Sequence, residues 1–344
     1  MLFGNLEVFN AAEFDCLPDG GHTFLRVPQK VENALSEQGK RMNRGATGVE
    51  LRFVMNGDKA VLTLKNSNPG TVANVLVYYG DFIADWPETD KRVTDSYTKI
   101  TIVKSPNLPV MRRIAREAGH RFSPDVVRII LNTSVAILGT EGDIRPPKPE
   151  ECPGGVYLAY GSSITHGSIA ACRCDEFVFR LGEELGLDAR NLGFAGAAAL
   201  EPAMADYLAA QPFVCATLEM GINILGIAPE DFEQRVRYFV KTIAGSHPDA
   251  PVFAIDVFYC ADDISGGGKA ARFREIVKAV TDELALPNVV YVNGLSVLPD
   301  GKFLTSGLVH PGPRGIRQMT DNLVSVMSPY LNLKTITKGS NCHE

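Results

Sequence analysis

The pattern of apolar and polar positions changes character near residue 150. Before it, apolar residues recur at every second position in short runs bounded by Gly, Pro, Asn or Asp, the period of strands with one buried face. VELRFVMNGDKAVLTLKNS (49–67) alternates on both sides of Asn56-Gly57-Asp58, residues that accept positive φ, and predicts a hairpin. TVANVLVYYGDF (71–82), SYTKITIV (96–103) and DVVRIILN (125–132) predict further strands, and only 29–38 and 111–118 show helical spacing. An all-β sandwich of mostly antiparallel strands follows. GTEGDIRPPKPEECPGG (139–155) has four prolines and no period, and reads as a linker.

After the linker, strand and helix alternate. Apolar runs at 156–163, 189–196, 213–221, 251–260 and 288–295 are separated by helical spacing near 174–186, 201–211, 229–244 and 271–286, and a last helix covers 315–330. This pattern predicts an α/β fold, a five-stranded parallel sheet with helices on both faces and its site at the strand carboxyl ends. The expected division is a β domain over 1–145, a linker over 146–155, an α/β domain over 156–332 and a tail over 333–344.

Composition narrows the partners. The 344 residues carry 34 basic and 40 acidic side chains, a net charge of −6, which favours neither nucleic acid nor an anionic membrane surface. No window approaches the ~18 continuous apolar residues of a membrane helix. The first residues, MLFGNLEVFNAAEFD, lack a basic region before an apolar one, so no signal peptide is expected. Seven irregularly spaced cysteines are expected as reduced thiols in a cytoplasmic enzyme.

The predicted strand ends carry Tyr160-Gly161-Ser162-Ser163-Ile164-Thr165-His166-Gly167, Asn191-Leu192-Gly193-Phe194-Ala195-Gly196 and Glu219-Met220-Gly221-Ile222-Asn223, and after the fifth strand comes Gly307-Leu308-Val309-His310-Pro311. A hydroxyl, a glycine, a side-chain amide and an imidazole on one rim are the parts for acyl transfer. Each alone has an ordinary explanation: Ser163 as a helix cap, Gly196 as a turn, Asn223 as a buried hydrogen-bonding residue, His310 as a helix start before Pro311. Together, in this order, GSSITHG, NLGFAG, GIN and LVHP resemble the four blocks of the SGNH, or GDSL-like, hydrolase superfamily. The resemblance implies Ser163 as nucleophile, His310 as its base, and an oxyanion hole from the Ser163 and Gly196 N–H groups and the Asn223 amide. One such donor is typically worth ~3–4 kcal/mol of transition-state stabilisation.

Two positions depart from the superfamily pattern. Ser162 stands where the name-giving Asp is usual. Gly307 stands three residues before His310, where an orienting Asp is usual, and no carboxylate lies between Asp300 and Asp321. A main-chain carbonyl near Gly307, the Ser306 hydroxyl, or a displaced acid such as Asp256, Asp262 or Asp263 would have to hold the imidazole. A Ser–His dyad with a main-chain acceptor is the expectation, an arrangement that carbohydrate esterase family two shares along with an N-terminal β-sandwich, or jelly roll.

Other signals fall short. Gly266-Gly267-Gly268-Lys269 lacks the first Gly and the final Ser/Thr of a phosphate loop. Cys172-Arg173-Cys174 near His166 lacks a fourth metal ligand, so no metal or other cofactor is expected. His166 is expected to line the pocket or to bond locally. Tyr78, Tyr79, Trp86 and Tyr97 would suit sugar stacking, although strand tyrosines are more often core, so packing against the catalytic part is expected of the first domain. The resulting expectation is a deacylase that removes acetyl from a sugar or glycoside. Its rivals are a lipid or lysophospholipid esterase and a catalytically impaired carbohydrate-binding protein on the same fold; homo-oligomers through sheet edges stay open.

Overall fold

The computed structural model describes residues 1–71, 73–86, 90–170 and 172–331. In the second half, strands Val156–Gly161, Asp188–Gly193, Cys215–Glu219, Val252–Ile255 and Val289–Val292 form one parallel sheet. Numbered by sequence within this sheet, their spatial order is 2-1-3-4-5, the flavodoxin-like order. The strand Val156–Gly161 shows why both faces are covered. Leu158 and Tyr160 enter the core beneath helices Pro202–Ala209, Pro229–Ser246 and Lys269–Leu284. Tyr157 and Ala159 enter the core beneath Phe177–Glu184 and Pro313–Met327. Prolines open three of these helices within the first turn, where no backbone donor is lost.

The first half holds two antiparallel sheets with a common core. One runs Leu2–Phe3, Leu6–Phe9, Glu50–Met55, Val126–Leu131, Ala73–Tyr79 and Phe82–Ile83, with Ile144–Arg145 and Asp90–Val93 paired alongside. The other runs Thr98–Val103, Lys59–Asn66, Val135–Glu141, His22–Leu25 and Glu13–Cys16. The hairpin expected at Asn56-Gly57-Asp58 is therefore an arch between sheets, where the Asn56 and Gly57 amides donate to the Asp143 carbonyl at 2.9 and 3.3 Å. Burial separates the two strands: Glu50–Met55 is buried along its whole length, whereas Lys59–Asn66 alternates buried with more exposed positions. Residues 139–141 and 144–145 belong to strands, so the irregular connection starts only at Pro146. Tyr78 and Tyr79 are buried, which removes them as sugar platforms; Trp86 is exposed, and the Tyr97 hydroxyl donates to Asp19.

The two halves interpenetrate. Helices Gln29–Glu32 and Glu37–Asn43 leave the β part, and Val27, Val31 and Leu35 pack in the α/β core with Leu192, Phe194 and Leu208. Beside them a charged seam is closed to water. Arg52 donates through both terminal nitrogens to Asp188 at 2.6 and 2.7 Å and through Nε to Glu50 at 2.8 Å. Arg128 donates twice to the same Glu50, at 2.8 and 2.7 Å. Among the described residues no helix is long and apolar enough to cross a membrane.

Removing one partner of a buried ion pair strands the other charge. Asp188→Ala is expected to lower unfolding free energy by about 3–5 kcal/mol. Its urea midpoint should fall, and the apolar double variant Arg52→Met/Asp188→Leu should recover most of the loss.

Candidate active site

Strand Val156–Gly161 ends in a turn governed by one buried carboxylate. Glu219, at the end of the neighbouring strand, is 3% exposed. It accepts from the Ser162 amide at 2.7 Å, the Ser162 hydroxyl at 2.6 Å and the Thr165 hydroxyl at 2.8 Å. Burial pushes the Glu219 carboxyl above its ordinary range, against the pull of the Ser162 and Thr165 hydrogen bonds. A Cβ on Gly161 would lie 2.3 Å from this carboxylate, so glycine is needed there. The Ser162 hydroxyl also accepts from the Ile164 amide at 3.2 Å and caps the one-turn helix Ser163–His166. Ser163 is thus the first residue of a short helix whose base is clamped on both sides. Sequence reasoning missed Glu219, whose one signal is a lone Glu closing the apolar run FVCATLEMG.

His310 meets Ser163 from the far edge of the sheet, with Nε2 2.8 Å from Oγ. Its backbone is held by Thr305 N donating to the His310 carbonyl at 2.8 Å and Gly312 N donating to the Phe303 carbonyl at 2.8 Å. Burial lowers the His310 pKa, which keeps the ring uncharged and able to accept the Ser163 proton. Nδ1 has no hydrogen-bond partner among the described residues. The structure brings neither a Gly307 carbonyl nor the Ser306 hydroxyl to it, and both residues are exposed. Asp256 is fully buried elsewhere, accepting from the Tyr291 hydroxyl at 2.5 Å and the Gly294 amide at 2.6 Å. Asp262 accepts from the Ala270 amide, and Asp263 is paired with Arg274. The loop itself carries strain instead, with Leu308 at φ +56°.

Three N–H donors sit at adjacent strand ends. Asn223 Oδ1 accepts from the Ala198 amide at 3.0 Å, which leaves Nδ2 as its free donor. Gly196 has φ +69°, a left-handed conformation that favours glycine. The turn around it is pinned from the β part, because Gln38 Nε2 donates to the Ala195 carbonyl at 2.9 Å. Among the described residues, the Ser163 N–H, the Gly196 N–H and the Asn223 Nδ2 have no partner within the chain. Donors in this state can receive an oxyanion without first breaking a bond.

The turn is also supported from behind. His166 is pushed down to about 3 by burial and by the charges of Arg26 and Arg173, so it is a neutral strut. Its Nδ1 donates to the Gly193 carbonyl at 3.0 Å, and its Nε2 accepts from the Thr47 hydroxyl at 2.9 Å. Arg173 Nη1 donates to the His166 carbonyl at 3.1 Å, while the Arg173 amide donates to Asn132 Oδ1 at 3.0 Å. Contrary to the expectation of reduced thiols throughout, Cys172 and Cys174 form a disulfide across Arg173, their Cα atoms 5.4 Å apart and within bridging range. Cys16, Cys152, Cys215 and Cys260 are free thiols, and Cys342 lies outside the described residues. Beside Ser163 and His310 a small recess is walled by Ile164, Ile169, Phe177 and Ile316. Glu176 also lines it, its carboxyl raised to about 7 by burial despite the bond from Arg173.

A serine hydroxyl on an uncharged imidazole, next to unpaired N–H donors at the carboxyl edge of a parallel sheet, is the arrangement of a serine acylhydrolase. Residues 159–318 match the model of the GDSL-like Lipase/Acylhydrolase family, so the α/β part carries an acylhydrolase-type domain. No curated protein matches the sequence. Similar solved structures include a salicylyl-acyltransferase from a tetracycline biosynthetic pathway, with 19% identity, TM-score 0.75 and coverage of 94% of each chain. A family two carbohydrate esterase from Cellvibrio japonicus has 14% identity and TM-score 0.59, over 94% of this chain and 96% of its own. An acetyl xylan esterase from Butyrivibrio proteoclasticus has 11% identity and TM-score 0.57, over 83% and 90%.

Glu219→Gln replaces an acceptor with an amide that cannot take all three donors. It is expected to cost about 1–3 kcal/mol in a urea titration. Misplacing Ser163 should lower kcat by roughly tenfold or more, with a smaller change in KM.

Proposed function

We propose that Ser163 and His310 form a catalytic dyad that removes a short acyl group, above all acetyl, from a sugar hydroxyl. The observation that carries this reading is the 2.8 Å contact between Ser163 Oγ and His310 Nε2. In the first step Oγ attacks the ester carbonyl as its proton passes to Nε2. The carbonyl electrons move to oxygen, and the Ser163 N–H, Gly196 N–H and Asn223 Nδ2 receive the charge. Collapse breaks the bond to the sugar oxygen, which takes the proton from His310 and leaves an acyl-Ser163. Water, deprotonated by the same imidazole, then attacks the acyl carbonyl, and collapse breaks the bond to Oγ, which takes the proton back from His310 as the carboxylic acid leaves.

The small recess walled by Ile169, Phe177 and Ile316 supports a short acyl chain over a long lipid tail. The fold shared with family two carbohydrate esterases and an acetyl xylan esterase supports the sugar side of the reading. The fold shared with a salicylyl-acyltransferase supports acyl transfer to an acceptor other than water as the competing second step.

Ser163→Ala is expected to lose fluorophosphonate labelling and to lower p-nitrophenyl acetate turnover by about 10⁴-fold or more. Acetylated xylo-oligosaccharides should be turned over, and lysophospholipids should not; the reverse preference overturns the substrate assignment.

The unaccompanied imidazole sets the pH dependence. Because burial lowers the His310 pKa, kcat/KM should hold constant down to the ordinary histidine value of 6.5 and fall only below it. Position 307 has open space for a side chain, since a Cβ there would have only Thr305 Oγ1 nearby, at 3.9 Å. Gly307→Asp is expected to move the acidic limb to higher pH and to raise kcat by about tenfold or more, read from the pH–rate profile.

A further inference from the structure

A second cleft lies along the edge strand Asp188–Gly193, where the β part meets the α/β part. Asn10, Arg26, Arg190, Tyr207 and Gln211 line it, and its volume is about 270 Å³. None of its lining residues is acidic, and none of them lines the recess at Ser163.

Arg26 is the anomaly. It is 1% exposed, and among the described residues it bonds no carboxylate. Arg52, Arg128 and Arg274, the other buried arginines, each bond at least one. Arg26 instead donates to two carbonyls, Asn191 at 3.2 Å and Met42 at 2.6 Å, and lies over the Phe194 ring at 4.6 Å. Burial, with Arg173 nearby, pulls its guanidinium down to about 9, only partly offset by the charge of Glu176. Glu176 is itself engaged by Arg173 and Asn191.

The rest of the cleft repeats the imbalance. Arg190 is half buried, donates only to the neutral Gln211 Oε1 at 3.0 Å, and pairs with no carboxylate among the described residues. Three buried polar atoms around the cleft, Arg26 Nε, Arg190 Nε and Asn10 Oδ1, have no hydrogen-bond partner among the described residues. The acid nearest in charge to Tyr207 is Glu13, whose carboxylate accepts from the Gln29 amide. Two guanidinium groups in a concave, partly dry site, neither bonded to a carboxylate among the described residues, form an incomplete ion pair, and the missing member is negative.

We infer that this cleft binds a small ligand through an oxyanion group, a carboxylate or a phosphate. Arg190 makes the direct contact, and Arg26 supplies the second positive charge from behind; the Tyr207 hydroxyl, which donates to the Arg26 carbonyl only at 3.5 Å, turns to the ligand, and the Gln211 amide offers the hydrogen it does not give to the Tyr207 carbonyl. The site is separate from the acyl chemistry and does not depend on the dyad.

Calorimetric titration of the full chain with inorganic phosphate, with succinate and with glucose, at ionic strength matched by sodium chloride, tests this. One of the two anions should bind saturably at a single site, and glucose should not; whichever binds distinguishes phosphate from carboxylate. That anion should raise Tm with concentration. Arg190→Gln should weaken its binding by roughly tenfold or more while leaving p-nitrophenyl acetate turnover unchanged. Gln211→Glu, which offers Arg190 an internal carboxylate, should weaken binding similarly and raise Tm without ligand. It serves as the readout if Arg190→Gln does not fold. Absence of saturable binding by both anions overturns the inference, as does undiminished binding in the variants that fold.

Discussion

A carboxylate with almost no access to water must find its donors inside the protein, and Glu219 finds three of them within four consecutive residues. That requirement shapes the end of strand Val156–Gly161. It excludes a side chain at Gly161, turns Ser162 into a cap, and starts the helix at Ser163. The hydroxyl that results faces His310 across the sheet edge without hydrogen-bonding to the brace beneath it. A turn held by a satisfied buried acid resists displacement, because any shift leaves a desolvated charge short of donors.

The β part completes this support. Thr47 fixes the ring of His166, Gln38 pins the turn at Gly196, and Asn132 anchors the arginine that reaches the carbonyl of His166. Arg52 and Asp188 lock the two halves behind these contacts. The residues proposed to react all lie after position 160, yet their positions depend on side chains that precede position 133. This explains in physical terms why the chain carries a first half nearly as large as its α/β part: it forms the back wall of the site.

Much of the α/β part was legible because parallel strands covered on both faces are continuous apolar runs, and each ended in small or polar residues that marked the rim. Ser163, Gly196, Asn223 and His310 were named from those rims, and the structure brings Ser163 and His310 into contact. The β part was less legible. Alternation identified Glu50–Met55 and Lys59–Asn66 as strands, but the Asn-Gly-Asp between them fits an arch between sheets as well as a hairpin within one. Only the long-range pairing of Glu50–Met55 with Val126–Leu131 decides between the two. Glu219 and Asp256 were equally hard to place. Both acids end apolar strands, and which one meets the nucleophile turn depends on strand order, with Glu219 beside Val156–Gly161 and Asp256 one strand further out. Pairing of Cys172 with Cys174 depended on a local backbone conformation with no sequence signature.

The dyad proposal stands or falls on a covalent bond. Rapid quenching of the enzyme with p-nitrophenyl acetate, followed by mass spectrometry of its peptides, tests it most directly. A pre-steady-state burst and an acetyl group on the peptide containing Ser163 are expected, both lost when Ser163 is replaced by Ala. Turnover with no acetyl-peptide at any quench time, or an acetyl group carried by a different residue, would contradict it.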